Sequence, residues 1–327
     1  MGRITHDGPL RVAVVGAGQM ANRVHYPSLA SFPDVCIAGI CDLDPRRLQE
    51  TADRYRIERR YADYRQMVEE VAPDAIYVIG QPHHLYDVWV WCLEQGLNLY
   101  IEKPMGLTLH QARMLADLAA KRGCITQVSF QRRSCPLLVR LRNECRRRGP
   151  IVHAVCRFYK YQLAPMYGAR DHMLDDGVHA IDTLRWLGGG EVVKIHSACR
   201  RVRVPDINLI TALLEFASGT IGVLITNWSS GRRSFSVEMH ALGIWAEADP
   251  EDRGHLYADG DPQGTVYDTR EVAGSGEFYI YGGFQAKHRE FLDCLRTGTQ
   301  PGSCFADAVQ TMEVAEKILA QDLLRSG

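Results

Sequence analysis

At 327 residues, 46% hydrophobic and 24% charged, the chain can bury a sizeable core and suits one large or two ordinary soluble domains. Lysine and arginine number 38 against 39 acidic residues, so the net charge is −1 and no basic field is available to hold a phosphate backbone; nucleic acid is not expected as a partner. No apolar segment approaches a membrane span, residues 1–9 lack the apolar core of a signal peptide, and ten cysteines without a Cys-x-x-Cys pair read as reduced thiols, so the chain is expected to be cytoplasmic with no membrane partner.

The first element is the run Val12 to Val15, apolar on both faces as a central parallel strand requires. It ends in Gly16-Ala17-Gly18-Gln19-Met20-Ala21 and opens into a helix. Gly16 permits a sharp turn, and Gly18 lets backbone N–H groups at the helix start, around Gln19 and Met20, approach a pyrophosphate. Ala21 is small enough for the helix to pack closely on its strand, although Pro27 is expected to kink or end that helix. A second apolar run, Val35 to Cys41, leads to Asp42, 24 residues after Gly18, where a carboxylate reads ribose hydroxyls. Strand, glycine turn, helix, strand and acid in this order describe a dinucleotide grip.

Alternation of strands and helices continues. A helix runs from Pro45 to about Arg56, Tyr61 sits in a short strand, Asp63 caps a helix through Val71, and Ala75 to Ile79 forms a strand that turns at Gly80-Gln81-Pro82. A helix from His84 to Glu94 precedes the strand Leu97 to Ile101, which terminates in Glu102-Lys103-Pro104. A helix over about Leu109 to Lys121 and a strand over Ile125 to Val128 close a doubly wound α/β unit spanning 1–129. The second domain, 130–327, opens with a basic helix from Leu137 to Arg148; beyond Gly149-Pro150 the pattern changes to long runs joined by turns. Hairpins around Ser218-Gly219 and Leu242-Gly243 imply a predominantly antiparallel sheet, and helices over Phe284 to Leu295 and Phe305 to Ala320 finish the chain. The basic runs Arg146 to Arg148 and Arg200 to Arg203 read as solvated faces.

Ligands of an open parallel sheet bind beyond the carboxyl ends of its strands. That rule selects Gly16 to Met20, Asp42, Gln81-Pro82-His83 and Glu102-Lys103-Pro104. The Lys103 ammonium can hold a substrate hydroxyl or donate a proton; a surface lysine paired with Glu102 is an equal reading. A second cluster is Asp175-x-Gly177-x-His179-x-x-Asp182, followed by Trp186. At helical spacing Asp175, His179, Asp182 and Trp186 fall within about 60° of arc. With His172 one turn earlier, three readings stand: a capped helix with a solvated polar face, a histidine general base oriented by a carboxylate, or a metal site. Gly177 inside a helix implies a close approach to the backbone by a ligand or a packed neighbour.

Taken together, the glycine turn, Glu102-Lys103-Pro104, the Asp175-Gly177-His179-Asp182 pattern, Gln131-Arg132-Arg133 and Phe291 to Gly298 resemble the glucose-fructose oxidoreductase and inositol dehydrogenase family over nearly the whole chain. The resemblance implies a Rossmann domain followed by a substrate-binding and oligomerisation α/β domain whose open-faced sheet serves as a subunit interface, giving a homodimer or homotetramer. It also implies no metal, and an NAD(P)-dependent dehydrogenase acting on a secondary alcohol of a sugar, inositol or related polyol. Lys103 would bind the nicotinamide ribose and the reacting oxygen, Asp175 would position the substrate, and His179 would take or give the hydroxyl proton. The cofactor residues carried over are Gly16, Gly18, Gln19, Met20, Asp42, Gln81, Pro82, His83, Glu102 and Lys103, with Gln131, Tyr159, Tyr161, His172 and Asp182 as candidate substrate residues. Relatives carry Thr-Pro-Asn and then a histidine where this chain has Gln81-Pro82-His83 and Tyr86, a departure near the nicotinamide. Leu43 after Asp42, in place of an arginine for a 2′-phosphate, favours NAD, while Arg46 and Arg47 keep NADP open. The alternatives are a dinucleotide sensor without turnover and an NAD-using glycosidase of the same fold; imine, enone and pyrrole reductions also occur on it.

Overall fold

The computed structural model describes residues 8–325; residues 1–7, on which most of the expected lack of a signal peptide falls, lie outside the described residues. The chain divides into two compact units, the first built from residues 1–129 with 278–280 and 284–309, the second from the remainder.

In the first unit, β1 (Leu10–Val15), β2 (Val35–Cys41), β3 (Arg60–Tyr61), β4 (Ala75–Val78), β5 (Leu99–Ile101) and β6 (Thr126–Val128) form a parallel sheet in the order β3-β2-β1-β4-β5-β6. The chain winds one way from β1 to β3 and the other way from β4 to β6, so the order reverses between β1 and β4, where such sheets bind ligands. β4, β5 and β6 are buried throughout and β1 at every position but Arg11, as central strands covered by helices on both faces are, whereas β2 and β3 toward the edge are only partly buried. The first helix does not stop at Pro27. A π-type turn over Ala21–His25 runs into α1 (Tyr26–Ala30), and its wider ladder accommodates the proline beyond it. Asp44 caps α2 (Pro45–Tyr55), Asp63 caps α3 (Tyr64–Val71) and Thr108 caps α5 (Leu109–Arg122), each accepting from a backbone N–H of the first turn. Before α5, α4 (Pro82–Glu94) begins two residues earlier than expected, since Pro82 at its first turn has no N–H to leave unpaired. The helix Phe284–Thr297 returns to this unit and places Phe291, Leu292 and Leu295 in one core with Leu10, Val12, Val14 and Tyr77.

The second unit opens with α6 (Pro136–Arg147), β7 (His153–Tyr161) and α7 (Val178–Gly188). β8 (Val192–Arg200), β9 (Leu209–Phe216), β10 (Ile221–Asn227), β11 (Ser229–Ala241), β12 (Ile244–Ala248), β13 (Arg253–Ala258) and β14 (Thr265–Asp268) complete a sheet with β7 in the order β14-β13-β12-β11-β7-β10-β9-β8. Every pairing is antiparallel except β7 with β10. Burial alternates along β9 to β12, the pattern of a sheet covered on one face. α7 packs on β7 and β10, and α6 lies over β11 to β13, leaving the other face open. The fold is therefore the expected one, a doubly wound Rossmann unit and an α/β unit on a predominantly antiparallel open-faced sheet.

Candidate active site

At the carboxyl edge of the first sheet, Gly16 has φ +106, and a Cβ there would lie 2.1 Å from the Ile79 carbonyl oxygen. Only glycine lets the turn after β1 press against the end of β4. Gly18 is the opposite case, with no atom within 4 Å of the position a Cβ would take. Carbonyls of this turn face inward: Asn22 Nδ2 donates to the Ala17 oxygen at 2.9 Å and the Tyr26 hydroxyl donates to the Gly16 oxygen at 3.1 Å. The open side of the turn fits a dinucleotide pyrophosphate approaching backbone N–H groups, and Gln19 and Met20 are exposed beside it. Asp42, at the end of β2, accepts from Ala17 N at 2.6 Å and from Asp44 N at 2.8 Å, so it braces the glycine turn. Arg46 pairs with Glu50 and Arg47 with Asp44, which ties both to carboxylates of their own segment.

After β4, Gln81 and His83 are exposed while Pro82 is buried. Pro82, His83, Tyr86, Leu107 and Gln111 are among the residues lining a recess of about 220 Å³. Glu102 and Lys103 follow β5, with the Lys103–Pro104 peptide cis. Glu102 is buried, accepts from its neighbour's Lys103 N at 3.3 Å, and meets His25 Nε2 at 2.8 Å. Nδ1 of the same histidine lies 3.0 Å from His288 Nε2, and the His288 ring stacks on Tyr100 at 4.7 Å. Burial alone would raise the Glu102 carboxyl, but the hydrogen bond and charge of His25, with Lys103 and Ser129, hold it below the ordinary carboxylate range. Burial, with the charge of His25 adding to it, drives His288 well below the usual histidine range. Lys103 thus follows a strand end whose preceding carboxylate is anchored in the core.

In the second unit, a π-type turn over Met173–Gly177 leads into α7. A Cβ on Gly177 would lie 2.8 Å from Met173 Sδ, so the close approach implied by this glycine is a packed neighbour. Asp175 is half-buried and pairs with Arg170 at 2.6 Å; His179 is 7% exposed, with Phe130 edge-on to its ring at 6.3 Å. Asp182 turns inward, accepting from Arg133 Nε at 2.8 Å and from Thr311 Oγ1 at 3.3 Å, and holds structure together. His172 is fully buried, its Nδ1 bonded to Asp206 and its Nε2 without a partner. Gln131 is buried, and its Oε1 is also without a partner. Among the described residues no group of three or more His, Cys, Asp or Glu could hold a metal ion.

Tyr159 and Tyr161 alternate with Phe158 and Lys160 along β7, and the buried Phe158 marks the covered face. The tyrosines therefore stand on the open face. Lys160, on the covered face, pairs with Asp176 at the start of α7. Lys160 and His25 escaped the sequence reading. Period-two parity from Phe158 was the available signal for Lys160, whereas His25 lies 77 residues from its partner Glu102 and leaves none.

Residues 10–130 match the model of an oxidoreductase family with an NAD-binding Rossmann fold, and residues 146–243 match the GFO/IDH/MocA C-terminal domain. The D-glucoside 3-dehydrogenase of Escherichia coli is 28% identical over 198 residues, 58% of this chain and 56% of the relative, so that match spans about half of its length. The myo-inositol 2-dehydrogenase of Thermotoga maritima is 23% identical over 300 residues, 88% of this chain and 86% of the relative. The crystal structure of a dehydrogenase from Chromobacterium violaceum superposes with a TM-score of 0.86 at 21% identity, covering 98% of each chain.

Proposed function

The chain belongs to the GFO/IDH/MocA oxidoreductase family, and from that premise we propose that it is an NAD-dependent dehydrogenase interconverting a secondary alcohol and a ketone on a sugar, inositol or related polyol. The observation that carries the reading is the glycine turn, closed against Ile79 at Gly16 and open at Gly18, on the strand edge that also presents Lys103. The turn binds the pyrophosphate through backbone N–H groups, and Asp42 receives the ribose hydroxyls. Leu43, in place of an arginine directly after Asp42, supports NAD over NADP.

Bound NAD supplies the hydride acceptor. Lys103 orients the reacting hydroxyl oxygen through its ammonium, and His179 accepts the hydroxyl proton. Asp175, oriented by Arg170, positions the substrate, and Gln131 offers its unpaired oxygen to a substrate hydroxyl. The test is NADH absorbance over time with NAD and a panel of inositols, sugars and sugar acids; a rise with one class names the substrate. Saturable NAD binding with no NADH formed from any of them, and none consumed with the corresponding ketones, would leave a dinucleotide sensor instead.

The open face of the second sheet supports assembly into a homodimer or homotetramer. It carries the partly exposed Trp245 on β12, stacked with Tyr257 at 4.8 Å and with His240 at 5.4 Å, and, three strands away on β10, the partly exposed Ile221, Val223 and Ile225. Light scattering on Trp245→Arg should report a smaller species than the unaltered chain. No described helix is long and apolar enough to cross a membrane, and the ten cysteines are unpaired, which supports a cytoplasmic enzyme.

A further inference from the structure

Arg132 is 7% exposed, yet its Nε and Nη1 have no hydrogen-bond partner. What it touches is aromatic: its Cζ lies 3.8 Å from the centre of the Phe235 ring and 5.4 Å from that of Phe158. Two further cations gather at the same ring, Lys160 Nζ at 5.5 Å and Arg233 Cζ at 5.7 Å from the Phe158 centre. The carboxylates whose charges favour the Arg132 cation are Asp176 and Glu251, and both are already paired, Asp176 with Lys160 and Glu251 with Arg233. Each carboxylate that acts on Arg132 is therefore shared with another cation, and the further carboxylate nearby, Asp249, faces Arg233. A cation–π contact recovers only part of the hydration that a buried guanidinium gives up, and an uncompensated buried charge is among the costliest arrangements in a protein interior. Arginine is the side chain suited to planar oxyanions, and exposure rises from Arg132 through Lys160, at 24%, to Arg233, at 46%, so the cluster grades from interior to solvent.

We propose that Arg132 and Lys160 form an anion subsite on the covered face of the second sheet, and that the substrate is a sugar or polyol carrying a carboxylate or phosphate rather than a neutral one. The inference rests on the dehydrogenase reading for the ligand's sugar character. Lys160 joins the subsite to the π-type turn before α7 through Asp176, three residues ahead of His179. The substrate's oxyanion supplies the missing negative charge and accepts the unpaired Arg132 hydrogens.

The test is thermal unfolding of the NAD-loaded protein with glucuronate, glucose 6-phosphate or glucose, for the unaltered chain, Arg132→Met and Lys160→Gln. One of the two acids should raise Tm by several degrees where glucose does not, and which acid does so distinguishes carboxylate from phosphate. Arg132→Met should lose that shift while its ligand-free Tm stays level or rises, because the unpaired charge is gone. Lys160→Gln, at a partly exposed position that does not threaten folding, should weaken the shift. In turnover, the ratio of kcat/KM for the acid over glucose should fall about a hundredfold in Arg132→Met. No shift from either acid, an equal shift from glucose, or a shift retained in both variants overturns the subsite. Acid-dependent stabilisation without any NADH would keep the subsite and remove the dehydrogenase reading; NADH from neutral polyols with no response to acids would do the reverse.

Discussion

The carboxyl edge of the first sheet and the covered face of the second, the two regions proposed here to bind ligands, are built in different ways. At the first, the surfaces offered to a ligand are backbone and open space: a glycine turn whose carbonyls are tied back by Asn22 and Tyr26, and the uncovered Gly18. Its buried acid, Glu102, is matched by His25 and Lys103. In the second unit side chains carry the open valences: Arg132 Nε and Nη1 without acceptors, His172 Nε2 without a partner and Gln131 Oε1 without a donor. A backbone cradle suits a ligand that does not vary, such as a dinucleotide, whereas side chains are where a family can change its substrate without rebuilding the fold.

The sharpest way to break this contrast is Lys103→Met, since Lys103 is the one side chain of the first edge assigned to the reaction. NADH formation should fall about 10²- to 10⁴-fold, with the far-ultraviolet circular dichroism unchanged; activity within a factor of three of the original would remove the lysine from the chemistry. Gly16→Ala should destabilise next most, because strain at positive φ costs about 1–3 kcal/mol and overlap with the Ile79 carbonyl adds about as much again. Urea unfolding measures it. Asp42→Ala should weaken NAD binding about tenfold and NADP binding less, as a carboxylate reading ribose hydroxyls requires; equal losses by cofactor titration would leave Asp42 only its bracing of the glycine turn.

The buried histidines predict a smaller effect with a definite sign. His288 in the folded chain titrates below its ordinary range, so as pH falls beneath about 6.5 the unfolded chain takes up a proton that the folded chain refuses. Stability is therefore intact above that pH and declines below it, by up to about 1.4 kcal/mol per pH unit. His288→Phe should flatten the slope between pH 6.5 and 5.5 in urea titrations. Glu102, whose carboxyl is lowered, loses its contribution only in the separate window below about pH 4.3. Gly18→Ala should change stability least, within about 0.5 kcal/mol, since nothing packs there, while loosening NAD binding. A large loss of stability at Gly18 would mean that the open side of the turn is not a ligand surface.

Legibility in the sequence followed the range of the interactions. The grip around Gly16 could be read because its parts lie within 27 residues and each imposes a local demand. Asp63 and the two hairpins were equally local, and all appear. The parallel pairing of β7 with β10 could not be read, because the partners are separated by β8 and β9 and no residue of either marks the choice. Pro27 marked an irregularity without saying which: the helix does not end there but passes through a π-type turn directly ahead of it. At the site, Arg132 stood in plain view within Gln131-Arg132-Arg133, yet adjacent arginines look alike as letters. Their partners separate them, Arg133 turning to Asp182 and Arg132 to Phe235.

The return of residues 284–309 to the first unit bears on the order in which the protein is made. Phe291, Leu292 and Leu295 share the core with Val12 and Tyr77, so the nucleotide-binding unit lacks part of its core until the segment 284–309 has been made. Until then the nascent first unit exposes an apolar trough. Excision of residues 1–129 as a stand-alone cofactor module should yield an aggregating fragment, and supplying the 284–309 segment in trans or by fusion should rescue its solubility.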